Sequence, residues 1–241
     1  MNSSKKSILN SNFTYLAAFV LPVIMMMALY YTRGIFPWGN ECYLRSDMYH
    51  QYAPFFSELW HKIRNGESLT YSWNIGMGTN FTSLFAYYLA SPSNWFVALF
   101  PQKYTIEIMN AFIILKIAGS SLSLTYYLTK HNNNKHVIAA IFGMFYGMSG
   151  FIAAYSWNIM WLDCVILIPL IMLGLERLVN ENRCIFYCIT LGLCIFTNYY
   201  IAIMVCLSVV IYYVVLMIAY NGIKSPMQYV KKFINFCVYS L

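Results

Sequence analysis

Charge is what this sequence has least of. Only 10% of its 241 residues are charged and 60% are hydrophobic, whereas soluble domains carry about 25% charged residues. With a mean hydropathy of +0.57, the chain reads as an integral membrane protein. Acidic residues are the scarcer sign, 8 against 15 Lys and Arg, giving a net charge of +7. That excess is spread thinly between apolar runs, with no basic stripe, zinc-finger spacing or helix-turn-helix signal, so nucleic acid is excluded as a partner. Basic residues between apolar spans set orientation and meet anionic lipid headgroups. Paired cysteines are missing too. Six of the seven (Cys164, Cys184, Cys188, Cys194, Cys206, Cys237) lie in hydrophobic stretches, and Cys42 stands alone in a polar loop, which argues against a disulfide framework. Cys184 and Cys188 lie one helical turn apart without a histidine near them and read as small core hydrophobes. No cleavage site follows the first apolar run, so it is a signal anchor rather than a signal peptide. No internal repeat is visible.

What is present is a series of apolar runs. The first covers 13–31, after Lys5 and Lys6. Others cover 106–128, 137–155, 164–178 and 184–220. The last is too long for one helix and suits two of ~18 residues. Its one polar interruption, "TNYY" at 197–200, is where the chain is expected to turn. A further run begins near Phe233 and stops at Leu241, as though mid-helix, so the chain reads as a piece of something longer. The expected architecture is an all-α polytopic membrane protein. It has a cytoplasmic segment 1–12, a first span 13–31, a long loop 32–105, spans two to six within 106–220, and a cytoplasmic loop leading into a seventh helix over 221–241.

Loop charge orients the bundle. With the N-terminus in the cytoplasm, cytoplasmic segments hold Lys5, Lys6, Lys130, Lys135, Arg177, Arg183, Lys224, Lys231 and Lys232, while the short outer loops 156–163 and 198–200 hold no Lys or Arg. The loop 32–105 holds Arg33, Arg45, Lys62, Arg64 and Lys103, but long loops count little in this rule; it is then extracytoplasmic, and it is not a linker. Tyr52, Phe55, Phe56, Leu59, Trp60 and Ile63 recur at the spacing of one helical face. Pro54 suits a first turn and Asn65-Gly66 a helix stop. The spacing predicts a helix over 54–64 lying on the membrane surface, apolar side down. Phe81, Leu84, Phe85, Tyr88 and Leu89 repeat the pattern, and Trp95, Phe96, Leu99 and Phe100 begin a third short piece. Gly143, Gly147 and Gly150 fit small-residue packing between membrane helices, because no strand precedes them.

Several stretches resemble the bacterial YfhO-type membrane proteins: "SDMYHQYAPFF" (46–56), "SWNIGMGTNF" (72–81), "YYLASPSNWFVALFP" (87–101), "LKIAGSSLSLTYYL" (115–128), "WLDCVILIPLIMLGLERL" (161–178) and "TNYYIA" (197–202). They occur in the family's order and cover nearly the whole chain. The resemblance implies a fold like that of the GT-C glycosyltransferases, in the bacterial cell membrane. It further implies transfer of a sugar from a polyprenyl-phosphate-linked donor to a cell-wall or lipoteichoic acid polymer. Family members are several times longer, and this chain would supply their first six helices.

Asp47 has two readings. One is a general base taking the proton of an acceptor hydroxyl, for which it must lie within hydrogen-bond reach. The other is the N-cap of a short turn over 48–51. Residue chemistry alone favours the cap, and the resemblance shifts the balance to the base. His50 and Gln51, three and four residues on, stand beside Asp47 in a helical turn, either to hold an acceptor or phosphate or as solvated polar residues. A divalent metal shared by Asp47 with Glu41 or Asp163 is a further alternative, although such sites usually need three or more ligands. Asp163 stands ~21 Å up its helix from Arg177, and Lys116 a similar ~21 Å from Lys130. An intramembrane lysine costs ~2.5–3.5 kcal/mol on insertion scales and marks function or a partner. The two form a structural ion pair, or Lys116 faces a lipid phosphate while Asp163 binds sugar or metal, or Lys116 snorkels. Rival functions are a transporter or flippase, which tends to show an internal repeat and broken midplane helices, and a non-catalytic fragment.

Overall fold

The computed structural model describes residues 2–133, 137–219 and 226–240, with side chains from residue 12 onward. Lys5, Lys6, Lys135 and Lys224, which enter the charge asymmetry, lie outside the described side chains. Helix α1 (Asn2–Thr32) leads into the loop. The helices that follow the loop are α4 (Thr105–His131), α5 (Ile138–Gly147), α6 (Gly150–Tyr155), α7 (Leu162–Glu181), α8 (Ile185–Thr197), α9 (Tyr199–Ala219) and α10 (Pro226–Ser240). Five stretches are long and apolar enough to cross a membrane: Asn12–Thr32, Gln102–His131, Ile138–Tyr155, Ile159–Glu181 and Tyr199–Ala219. The architecture is therefore all-α and polytopic.

Helix α8, expected as a full span, has only 13 residues and is ~20 Å long. The turn in the long apolar run falls at Asn198, whose Oδ1 accepts from the Ile201 backbone N–H at 2.9 Å and starts α9. This leaves α9 longer than α8. The run 137–155 is also interrupted, between α5 and α6.

Helices α4 and α7 form the interior. Each is 61% buried along its apolar window, against 28–33% for the spans of α1, α5–α6 and α9. Lipid tails are as apolar as Leu, so close packing and interhelical hydrogen bonds hold such bundles together. Both are present. A Cβ on Gly143 would lie 2.4 Å from the Ser121 carbonyl oxygen, and one on Gly147 would lie 2.7 Å from that of Ile117. Small residues thus let α5 approach the α4 backbone, whereas Gly150 meets nothing. Ser121 Oγ donates to the Ala18 carbonyl of α1 at 2.6 Å, and Tyr146 Oη of α5 donates to Val165 of α7 at 2.7 Å.

The loop folds into a cap of its own. It comprises a π-helical turn Met48–Tyr52, α2 (Ala53–Asn65), a two-residue hairpin β1 (Tyr71–Ser72) and β2 (Thr79–Asn80) and α3 (Phe81–Leu84). A second π-helical turn, Phe85–Leu89, and 3₁₀ turns Pro92–Leu99 and Gln102–Tyr104 complete it. Helix α2 ends at Gly66, in the left-handed region at φ 66°. Its apolar face does not lie on lipid. Phe56 and Leu59 are fully buried in one cluster with Phe81, Leu89 and Val97 of the loop and with Met109 and Ile113 of α4. Helix α2 also buries two charged residues that the periodicity omits, Glu58 and Lys62. Ser72 Oγ and Asn74 Nδ2 donate to the Glu58 carboxylate at 2.6 and 3.0 Å, and Lys62 Nζ donates to the carbonyls of Ser68 and Tyr71. Burial pushes the Glu58 carboxyl up, but these hydrogen bonds and the Lys62 charge outweigh it and hold it below the usual carboxylate range. This ties the hairpin to α2.

Candidate functional site

Asp47 precedes the first π-helical turn. Its neighbour Ser46 has φ 52°, a conformation uncommon for a residue with a side chain. Asp47 occupies the cap position but its side chain makes no capping hydrogen bond. The carboxylate is exposed and forms no ion pair among the described residues. Single π-helical turns inside helices occur frequently at functional sites, and here the two turns face each other. Gln51 Nε2 donates to Tyr88 Oη at 3.3 Å, and the Tyr52 and Tyr88 rings lie 5.2 Å apart. Both phenols are held above their ordinary range, first by burial; each also feels its tyrosine neighbours and the Asp47 charge. Asp47 opens the turn that carries Gln51 and Tyr52. His50 is exposed, edge-on to Tyr49.

The tyrosines connect the loop to the bundle. Tyr52 Oη donates to Asn158 Oδ1 at 3.1 Å, and its ring stacks parallel to Trp157 at 6.3 Å. Tyr87 packs against Tyr199 and Tyr200 at the start of α9, and Asn198 Nδ2 donates to its carbonyl at 3.0 Å. Trp161 stacks on Tyr200. Four separated stretches, 46–56, 87–88, 157–163 and 198–200, thus build one aromatic nest. Two donors in it lack acceptors among the described residues: Asn158 Nδ2, on a residue only 2% exposed, and Trp161 Nε1. Buried donors normally have partners, which sets these two apart from the other polar groups of the nest.

Beneath the nest, Lys116 Nζ lies 2.6 Å from Asp163 Oδ2 and also donates to the Ile159 carbonyl at 3.2 Å. Lys116 is buried and joins α4 to α7. The structure brings Asp47 and Gln51 to the nest, keeps His50 at its solvent edge, and commits Lys116 and Asp163 to each other. Glu41 lies apart, in a neighbouring cleft with Arg33 and Arg45. Among the described residues no three His, Cys, Asp or Glu side chains gather in one place.

The residue reading assigned no role to Tyr88, Asn158 or Asn198, although each falls in or beside a stretch singled out there. It also missed Glu176 on α7. This buried carboxylate accepts from Tyr127 Oη at 2.8 Å and Tyr212 Oη at 2.5 Å, with His131 Nδ1 at 2.9 Å. A glutamate buried at the end of a membrane span is itself a signal for a partner.

Fold and site together define a multi-pass membrane protein whose inter-helical loop folds back onto one end of its bundle. The family model described as bacterial membrane protein YfhO matches residues 17–241, and the chain belongs to that family. No curated protein and no solved structure matches it.

Proposed function

We propose that this protein is a membrane glycosyltransferase, moving a sugar from a polyprenyl-phosphate-linked donor to a cell-wall or lipoteichoic acid polymer on the extracytoplasmic side. The orientation rests on the Lys/Arg asymmetry, which puts the 32–105 loop outside. The observation that carries the reading is Asp47: an exposed carboxylate that caps nothing, beside an aromatic nest with two unpaired donors. Aromatic faces and donors of this kind suit a sugar ring and its hydroxyl oxygens.

In this reaction the acceptor hydroxyl oxygen attacks the anomeric carbon and its proton passes to the Asp47 carboxylate. The bond from the anomeric carbon to the carrier's phosphate oxygen breaks, and its electron pair leaves with the phosphate. Gln51 and His50 flank the acceptor. The Lys116–Asp163 pair acts from below, holding α4 against α7 so that Asn158 and Trp161 keep their places.

Asp47→Asn removes basicity while retaining shape. Introduced at the chromosomal gene, it is expected to abolish polymer glycosylation with protein level and membrane insertion unchanged, since a general base is worth ~10²–10⁴ in rate. Near wild-type transfer by this variant would remove Asp47 from the chemistry.

A further inference from the structure

A cleft of about 830 Å³ runs beside the nest, sharing Trp157 as a wall. Its lining has two distinct parts. Leu29 and Ala153 belong to membrane-spanning stretches and lie near their ends, at Thr32 and Tyr155. Arg33 directly follows the first of those ends, and Glu41 and Arg45 belong to the loop beyond it. The cleft therefore reaches from the ends of two spans into the loop, and its lining carries both apolar and charged side chains. Neither guanidinium forms an ion pair with any described group, and with Glu41 in the same cleft the balance remains positive.

Guanidinium is the side chain best matched to phosphate, because its planar fork offers paired donors and keeps its charge. Lys116, the other cation considered for that role, is already engaged by Asp163 and the Ile159 carbonyl. We infer that this cleft seats a phosphate-bearing amphiphile, its phosphate between Arg33 and Arg45 and its hydrocarbon chain along Leu29 and Ala153. The inference rests on the lipid-linked donor proposed above and locates that donor's phosphate. Arg45 lies two residues before Asp47, so a phosphate held there brings its attached sugar to the nest.

The test uses the intact protein in nanodiscs of phosphatidylcholine, titrated calorimetrically with farnesyl phosphate, farnesol and inorganic phosphate. Farnesyl phosphate is expected to bind at one site. Farnesol and inorganic phosphate, each lacking half of the match, are expected to bind at least tenfold more weakly. Arg33→Gln and Arg45→Gln, both at exposed positions, are each expected to weaken farnesyl phosphate at least tenfold with the melting temperature unchanged. Farnesyl phosphate binding that ignores both substitutions would overturn the site. Equal binding of inorganic phosphate would overturn its amphiphilic character, and equal binding of farnesol would overturn the role of the arginines. Asp47→Asn is expected to leave this binding intact, which separates the two proposals. Arginine-dependent binding alongside undiminished transfer by Asp47→Asn sinks the catalytic reading alone. Arginine-independent binding alongside lost transfer sinks the cleft alone.

Discussion

Helices α4 and α7 are joined by polar contacts at both ends, and the two joints are of different kinds. At the loop end, Lys116 and Asp163 meet at 2.6 Å, cation against anion, with the Ile159 carbonyl taking a second ammonium proton. At the other end Glu176 has two phenols and one imidazole around it, and the imidazole belongs to His131, about half exposed at 45% of its side chain. The first joint is electrically complete within the protein. The second is a carboxylate held by neutral hydroxyls and by a histidine that carries charge only when protonated. The end that supports the nest is thus fixed by full charges, while the far end is held by hydrogen bonds that water and protons reach.

The comparison can be broken most sharply at Lys116. Lys116→Met leaves Asp163 buried without its cation, and losing one partner of a buried pair costs about 3–5 kcal/mol. Unfolding in detergent is expected to show this, with Asp163→Leu added to the same chain recovering a large part. Purely additive losses would show that the two residues are not coupled. At the other end Glu176→Gln keeps an acceptor for the phenols, and its cost is expected at about 1–3 kcal/mol. A loss as large as that of Lys116→Met would erase the distinction between the joints.

Glu58 provides a third carboxylate, outside the membrane spans, with a proton-linked role. Its folded-state pKa is below the usual range, so its contribution is present at neutral pH and is lost as pH falls through the carboxylate range. A spin label at Thr79 on the hairpin is expected to gain mobility as pH falls below the ordinary glutamate pKa of about 4.3, and Glu58→Gln is expected to remove that dependence. The smallest effect belongs to Tyr212→Phe, which deletes one of several bonds to Glu176. Single interhelical hydrogen bonds in membranes average ~0.6 kcal/mol, so its unfolding midpoint should barely move.

How far the sequence foretold this arrangement depends on the physics behind each signal. The spans are legible because lipid demands long apolar runs. The turn near 197–200 is legible because a polar pair interrupts one, although only the cap at Asn198 shows that it leaves α8 short. Matching depths of Lys116 and Asp163 follow from helix rise alone, and the structure joins the two in an ion pair. The face of α2 was legible as apolar, but amphipathicity does not say what covers a face. Here protein covers it, with Glu58 and Lys62 drawn in because the hairpin satisfies them. The nest was not legible. With 22 tyrosines in the chain, periodicity cannot say that Tyr88 meets Gln51 while Tyr87 meets Tyr199.

Asn198 is a mechanical linkage as well as a corner. Fully buried, it holds the first turn of α9 through Oδ1 and the Tyr87 carbonyl through Nδ2. The first turn of α9 is thus bonded to the second π-helical turn, and that turn through Tyr88 to Gln51 and the first. One amide side chain fastens the loop to the corner between α8 and α9.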